Sequence, residues 1–338
     1  MKSIDVLILA AGKGTRMPSP RPKVLQTLLG ETMLTLVTAT AAAMPRIGNI
    51  FTLVGNEAEM VSAEAARTAE RLGRTARCIR QEQQLGTGHA LMTAMPHLDG
   101  DGCLLVVNGD APLLTPDVLN RFLDAADGAD VAFLSLVLDN AASYGRVVRE
   151  NGAVRGIVEA KDFDPALYGP LEDAHEVNTG IYLFSLPAVR KLLPHLSCEN
   201  KGGEYYITDL VALALEEGDS VKGIVCGSDE SLLNGVMTLS QWIQRHGARL
   251  PALEIEDKLL PWNDRTFTVK FENGECTQTQ EPPEHHLKMG IGTLSTLLLG
   301  YKTAERLYEL ERIEGREEAV ERLDDVLFHK IPYISDYI

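Results

Sequence analysis

Apolar residues in the first half of the chain come in short unbroken runs that stop at glycine. Ile4–Ala10 (IDVLILA) carries a single acid and gives way to Gly12 and Gly14. Ile50–Val54 (IFTLV) ends at Gly55, Cys103–Val107 (CLLVV) ends at Gly109-Asp110, and Val131–Val137 (VAFLSLV) makes a fourth run. Runs without polar alternation predict strands covered on both faces, as in a parallel sheet. Between them, Leu34–Ala43, Ala58–Leu72, Gly88–Met95 and Pro116–Ala126 space their apolar residues at helical intervals. Strands alternating with helices predict an α/β fold with a mainly parallel sheet. Such sheets bind ligands at the carboxyl ends of their strands. The turns at Gly12–Gly14 and Gly109-Asp110 fall at that edge.

The pattern changes from Arg146. Arg146–Arg149, Val154–Val158 and Gly180–Phe184 read as shorter strands, with Asn151-Gly152 as a hairpin signal. Helical segments follow at Pro187–Leu193 and Asp209–Glu217. A further region begins near residue 246. There Phe267–Phe271 (FTVKF) alternates and Asn273-Gly274 offers a second hairpin turn, while Gly292–Leu299 and Thr303–Ile313 have helical spacing. Val320, Leu323 and Leu327 form one more helical stripe. These stripes read first as core packing. No internal repeat or low-complexity tract stands out, and Glu281-Pro-Pro-Glu284 punctuates a loop inside this last region.

Length and charge narrow the chemistry. A chain of 338 residues predicts two domains. The formal net charge of −16 argues against nucleic acid as a partner. An anionic substrate would have to be met by local cations. The five cysteines, Cys78, Cys103, Cys198, Cys226 and Cys276, are scattered, which fits a reducing compartment better than a disulfide framework. The apolar opening is too short for a signal peptide's core or a membrane span, so the cytoplasm is expected.

The first turn carries the most chemistry. After the strand comes Leu9-Ala-Ala-Gly-Lys-Gly-Thr-Arg-Met17, then Pro22-Lys23-Val24-Leu25. Small residues at Ala10, Ala11, Gly12 and Gly14 let the backbone approach a ligand, and their N–H groups suit phosphate oxygens. Arg16 and Lys23 supply positive charge, Arg16 as a fork for two oxygens and Lys23 as a point charge. A βα turn that uses glycine for geometry alone is the alternative. The spacing is neither a Walker loop nor a dinucleotide fingerprint, which needs a third glycine.

L-A-A-G-x-G-T-R-M followed by P-K resembles the signature of sugar-nucleotide pyrophosphorylases. Gln81-Glu-Gln-Gln84-Leu-Gly-Thr-Gly-His-Ala90, Asn108-Gly-Asp-Ala-Pro-Leu-Leu114, Tyr144-Gly-Arg146, Ile157-Val-Glu-Ala-Lys-Asp162, Glu176-Val-Asn-Thr-Gly180 and Gly203-Glu-Tyr-Tyr-Ile-Thr-Asp209 follow in order. Together they resemble the uridyltransferase half of the bacterial bifunctional GlmU family, over about residues 3–245. The resemblance implies a Rossmann-like nucleotidyltransferase domain. It implies transfer of UMP from UTP to N-acetylglucosamine 1-phosphate, with Mg²⁺ as cofactor. By position it makes Gln81 the base reader, with the backbone of Leu9, Ala10, Ala11 and Gly12 and with Gly86 completing the pocket. Thr87 becomes a ligand-contacting hydroxyl, and Asn108, Gly109 and Asp110 line the same edge. Asp110 becomes the Mg²⁺ ligand, as against a cap for the turn before Pro112. Gly145, Glu159, Asn178 and Thr208 become the sugar pocket. Arg16, Lys23 and Asp110 become the catalytic set. Gln84 is open between a ligand contact and a helix start. Other cytidylyl- or thymidylyltransferases share the first turn but fit less well at Gln81–Ala90 and Gly203–Asp209.

The pattern is broken in one place that bears on metal. Where the family carries an Asn after a Gly-Val pair, Gly235-Val236 is followed here by Met237, and a thioether does not suit Mg²⁺. Asn234 could rebuild the site, Asp110 and phosphates could hold the metal alone, or the enzyme could be weakened into a nucleotide-sugar-binding or scaffold protein. Asn108 stands where a Tyr is common, and Ser143 replaces a Gly. Residues 246–338 show no six-residue period, so the family's acetyltransferase half and its trimer are not implied. Instead Pro261-Trp-Asn-Asp264, Phe267–Phe271, the stretch from Ile291 to Tyr301 and Pro332–Tyr337 resemble the sterol-carrier-like C-terminal domain of the enhanced-intracellular-survival acetyltransferases. That implies a small α+β domain over 246–338 after a transferase domain over 1–245. His285-His286 reads as a solvated pair and Trp262 as a core anchor.

Overall fold

In the computed structural model the described residues are 3–12, 21–28, 31–138, 141, 144–226, 252–256, 267–272, 275–279, 286–298 and 302–326. The chain divides into two compact units, Met1–Thr27 with Glu31–Thr238, and Leu28–Gly30 with Leu239–Ile338.

The first unit runs β1 (Ile4–Ala10), the two-residue strands β2 (Thr27–Leu28) and β3 (Glu31–Thr32), α1 (Met33–Ala42), β4 (Ile47–Val54), α2 (Ala58–Arg71), β5 (Arg77–Arg80), α3 (Thr87–Ala94), β6 (Cys103–Asn108), α4 (Pro116–Ala125) and β7 (Val131–Val137). It continues with β8 (Arg146–Glu150), β9 (Ala153–Val158), α5 (Pro165–Tyr168), β10 (Glu176–Ser185), α6 (Leu186–Leu192), α7 (Asp209–Glu216) and β11 (Val221–Val225). The main sheet has the order β11-β7-β10-β6-β1-β4-β5. Strands β6, β1, β4 and β5 are parallel, and β11 is parallel to β7. Strand β10 lies antiparallel between β6 and β7. The unbroken apolar runs explain themselves: Val6, Leu7 and Ile8 of β1 and Leu104, Leu105 and Val106 of β6 are wholly buried, with helices needed on both faces. The one acid in β1, Asp5, sits at the strand's start and accepts from the backbone and side-chain nitrogens of Asn49, at 2.8 and 3.1 Å.

Two strands of this sheet escape a reading by pattern. β5 (RCIR) and β11 (VKGIV) are short edge strands with charged or small residues, as edges tend to be. The hairpin β8–β9 turns on Asn151-Gly152, both with positive φ (51° and 82°), which a two-residue hairpin of this type needs. It hangs from β10 through the pair Val177↔Arg146. Because Arg146 also pairs with Val158, Gly145 and Glu159 come to lie at the same end of the hairpin.

In the second unit, β12 (Ala252–Glu256), β13 (Phe267–Glu272), β14 (Glu275–Thr279), β15 (His286–Gly290) and β16 (Ile313–Gly315) form a sheet in the order β14-β13-β12-β15-β16. Helices α8 (Ile291–Leu298), α9 (Ala304–Glu309) and α10 (Glu317–Val326) accompany it. Leu287 and Met289 of β15 are buried, as are Leu297, Leu307, Val320 and Leu323. The helix expected over Thr303–Ile313 stops at Glu309. Glu311 takes a left-handed φ of 55°, and Ile313 then pairs with Met289. Leu327, Trp262, His285 and the Pro332–Tyr337 stretch lie outside the described residues.

Candidate active site

The strand order reverses between β1 and β6, which are adjacent and parallel, so the turns that follow them open side by side. A cleft of about 560 Å³ lies over these turns. Leu9, Ala10, Ala11 and Gly12 line it from β1, Asn108 and Asp110 from β6, Gln81, Gln84, Gly86 and Thr87 from the segment after β5, and Lys23 from a short 3-10 turn. Gly109, between Asn108 and Asp110, packs tightly against the end of β1. Its N–H donates to the Leu9 carbonyl at 3.0 Å, and a β-carbon there would lie 3.0 Å from that oxygen and 3.2 Å from Val24. Ten predicted residues, scattered from position 9 to 110, thus share one concavity.

Lys23 and Asp110 form an ion pair across the cleft, each side chain less than one-fifth exposed. Val24 and Leu25 bury beside Lys23 and hold its turn in place. The Asp110 carboxylate thus faces a cation in the cleft. Among the described residues there is no cluster of three His, Cys, Asp or Glu that could hold a metal. Arg16, Ser143, Asn234 and Met237 lie outside the described residues.

Gln81 is 4% exposed, and its Nε2 donates to the Gly86 carbonyl at 3.3 Å and lies 3.0 Å from His89 Nδ1. Gly86 has φ 108°, and a β-carbon would come within 2.4 Å of the Tyr205 carbonyl, so glycine is required twice over. Gly86 is also the N-cap of α3, which leaves Gln84 two residues before the cap and lining the cleft. The Thr87 hydroxyl accepts from the Ile207 N–H at 3.0 Å, the Tyr205 N–H donates to the Leu85 carbonyl at 2.8 Å, and the Gly88 N–H to the Tyr205 carbonyl at 2.7 Å. The Gly203–Asp209 stretch is therefore laced to the start of α3. Thr87 ties the two walls together while its own hydroxyl proton stays available to donate.

The second half of the site is assembled from four segments. The Asn178 N–H donates to the Gly145 carbonyl at 3.0 Å. Its side chain donates to the Tyr182 hydroxyl at 2.6 Å and accepts from the Gly180 N–H at 3.0 Å. The Thr208 hydroxyl donates to Glu159 Oε1 at 3.2 Å, and a β-carbon on Gly145 would sit 3.5 Å from both Glu159 oxygens. Asn108 Nδ2 donates to the Thr179 carbonyl at 3.2 Å, which joins this network to the cleft. Gly145, Glu159, Asn178 and Thr208 thus come together in one network. A smaller pocket of about 230 Å³ adjoins Glu159, Asp162, Tyr206 and Asp209.

The two halves differ in electrostatics. Burial pushes the Glu159 carboxyl above its ordinary range, against the Thr208 hydrogen bond and the nearby Lys161. Burial, with Glu159 and Asp162 close by, pushes Asp209 up to about 6. Burial raises the Tyr182 phenol well above its usual value. The sequence reading passed over His89, Glu204 and Tyr206 as individual site residues. His89 and Glu204 lie inside motifs that carry the resemblance, but only the fold shows the first beside Gln81 and the second on the cleft wall.

Residues 6–148 match the MobA-like NTP transferase domain, and residues 241–335 match the sterol carrier protein domain. The bifunctional protein GlmU of Nitratidesulfovibrio vulgaris (strain Hildenborough) is 53% identical over 230 residues, 67% of this chain and 48% of that protein. The N-terminal region is a GlmU homologue. The GlmU of Oleidesulfovibrio alaskensis is 47% identical over 237 residues, covering 69% and 49% of the two chains. That of Acinetobacter baumannii (strain AYE) is 39% identical over 222 residues, covering 66% and 46%. The chain spans about half the length of these GlmU relatives. Two solved structures share the α/β fold. A putative glucose-1-phosphate thymidylyltransferase from Bacillus anthracis has a TM-score of 0.51 at 18% identity, covering 67% of this chain and 87% of its own. The inositol-1-phosphate CTP transferase from T. maritima has a TM-score of 0.51 at 13% identity, covering 70% and 97%. No helix among the described residues is long and apolar enough to cross a membrane.

Proposed function

We propose that the first unit transfers UMP from UTP to N-acetylglucosamine 1-phosphate, giving UDP-N-acetylglucosamine and pyrophosphate. The observation that carries this is the single cleft at the β1/β6 switch point. It places Gln81, the Leu9–Gly12 backbone and the Lys23–Asp110 pair together, with the Glu159 network next to it. In this reading Gln81 and Gly86 take the uracil, and Lys23 with Arg16 takes the triphosphate. Asn178, Glu159, Thr208 and Gly145 take the sugar. In this reading the domains divide the chain at 1–245 and 246–338, a few residues after the Thr238/Leu239 division between the compact units, and an enzyme that uses UTP would work in the cytoplasm.

Asp110 fits Mg²⁺. It is a lone carboxylate at a strand edge beside the triphosphate path, and this ion commonly binds one or two carboxylates plus phosphate oxygens. Bound there, Mg²⁺ would neutralise charge on the phosphates. The rest follows from the protein's own groups. The sugar phosphate oxygen attacks the α-phosphorus of UTP in line, the α–β bridging bond breaks, and pyrophosphate departs with the electron pair. No protein nucleophile is needed. Lys23 exchanges Asp110 for the phosphate oxygens and holds charge as it moves toward the leaving group. Glu159 accepts from sugar hydroxyls and fixes the attacking end.

Pyrophosphate release from UTP and Mg²⁺, with and without N-acetylglucosamine 1-phosphate, tests the reading. Release that requires both the sugar phosphate and the metal supports it. UDP-N-acetylglucosamine binding without release would mark a sensor or scaffold in its place. Met237→Asn should raise turnover if the metal site is weakened by the thioether.

A further inference from the structure

We propose that His89 is a positioning residue that locks the Gln81 carboxamide so that its oxygen alone faces the base, which makes the cleft select a pyrimidine with an N3–H. This rests on the uridyltransferase reading and deepens it. A carboxamide is ambiguous in principle, because its oxygen accepts and its nitrogen donates, and a half-turn exchanges them. Here the surroundings remove the ambiguity. The Gly86 carbonyl can only accept, so the amide nitrogen must face it, at 3.3 Å. The flipped amide would set two oxygens against each other in a buried site. The nitrogen's second proton is directed to His89 Nδ1 at 3.0 Å. That contact is a hydrogen bond in the tautomer that leaves Nδ1 bare and carries its proton on Nε2.

Both amide protons are then used, and Gln81 Oε1 remains. No hydrogen bond among the described residues uses it, and Gln81 lines the cleft. An acceptor at that place pairs with the N3–H of uracil. Cytosine presents a bare ring nitrogen there, and two lone pairs would meet at a residue that is 4% exposed. An unsatisfied buried acceptor is penalised more heavily than a lost surface bond. The Gly86 bond is long and by itself leaves the amide plane free to rock. The second acceptor, set by α3 where His89 is the third residue, fixes that plane.

The test measures dissociation constants of UTP and CTP, each with Mg²⁺, by calorimetry on the full chain. Wild type should prefer UTP. His89→Leu should cut the UTP-over-CTP preference roughly tenfold, the worth of one buried hydrogen bond. His89→Asn places Oδ1 where Nδ1 stood and should restore most of the preference. Gln81→Ala should abolish it. His89→Ala replaces His89→Leu if the latter does not fold. An unchanged preference in His89→Leu, with Gln81→Ala losing it, overturns the role of His89 and leaves the base reader standing. An Asn variant no better than Leu overturns it too, since ring packing would then be the cause. A Gln81→Ala protein that still prefers UTP overturns the base reader itself, and the proposal with it.

Discussion

In the proposed reading, the cleft that takes the nucleotide and the neighbouring Glu159 network that takes the sugar solve different problems with different materials. The nucleotide side is mostly backbone: the Leu9–Gly12 turn and Gly86 crowd against a ligand path, and Lys23 supplies a cation facing Asp110. The sugar side is mostly side chain, and it is acidic. Burial raises the proton affinity of Glu159 and Asp209, with Asp162 close to both and Lys161 as a nearby counter-charge to Glu159. A triphosphate needs N–H groups and cations, whereas a sugar needs acceptors for its hydroxyls. Segregating the two also orients the reaction. In the proposed reaction the acidic side would repel phosphate and so turn the charged ends of both substrates toward Lys23.

Lys23→Ala removes that cation and exposes Asp110 to the triphosphate unopposed. We expect kcat for pyrophosphate release to fall by roughly 10²–10³-fold, in the range of other lost charge-stabilising donors. A drop of less than threefold would show that the asymmetry does not drive chemistry. Gly86→Ala attacks the nucleotide wall instead. A β-carbon 2.4 Å from the Tyr205 carbonyl, at φ 108°, forces the laced loop to open. We expect a loss of about 2–3 kcal/mol, read as a fall in Tm of roughly 5–10 °C. An unchanged Tm would mean that the Tyr205 loop yields freely. On the sugar side, Glu159→Gln keeps the shape and removes the charge. The KM for N-acetylglucosamine 1-phosphate should rise about tenfold, with the KM for UTP unchanged within about twofold. Equal rises in both would erase the distinction between the sides.

The same contrast explains what could be read from the sequence. The phosphate turn was legible because its parts are contiguous, whereas Gln81, Gly86 and Thr87 took their roles from the family motif. The Leu9–Gly12 start of the first motif and the Asn108-Gly109-Asp110 turn each follow an apolar strand, and both lie on one sheet edge because β1 and β6 are parallel. The roles on the sugar side came only from family motifs. Glu159 by itself is an acid at a strand end. Nothing in its spacing shows that the Arg146↔Val158 pairing brings it to Gly145, or that α7 begins beside it with Thr208. His89 was missed because its partner is eight residues away across a turn, a spacing with no helical or strand meaning. The edge strands β5 and β11 were missed because edges lack the apolar runs that mark central strands. Ile313, the first residue of β16, was taken into a helix because the left-handed Glu311 that separates them is not a glycine.

Asp209→Asn tests the sugar side at its finest grain. Asp209 is held at about 6 in the folded protein against its ordinary 3.8. The folded state therefore binds a proton more tightly than the unfolded state. The stability linked to this group is full below pH 3.8 and is lost as pH rises through 6. Above pH 6 the ionised carboxylate is a burden of about 3 kcal/mol at most, by the conversion of one pKa unit to 1.36 kcal/mol. Partial contact with solvent reduces that figure. The acid also opens α7, where a negative charge recovers roughly 0.3–1 kcal/mol. The net burden is then about 1 kcal/mol at pH 7.5. Asparagine cannot ionise, so the variant should melt roughly 2–4 °C higher at pH 7.5, with the gap closing as pH falls toward 4. Melting curves of both proteins across that range decide it. A gap that stays constant with pH would mean the carboxylate is not strained by its neighbours. The acidic character of the sugar side would then be a matter of composition and not of burial.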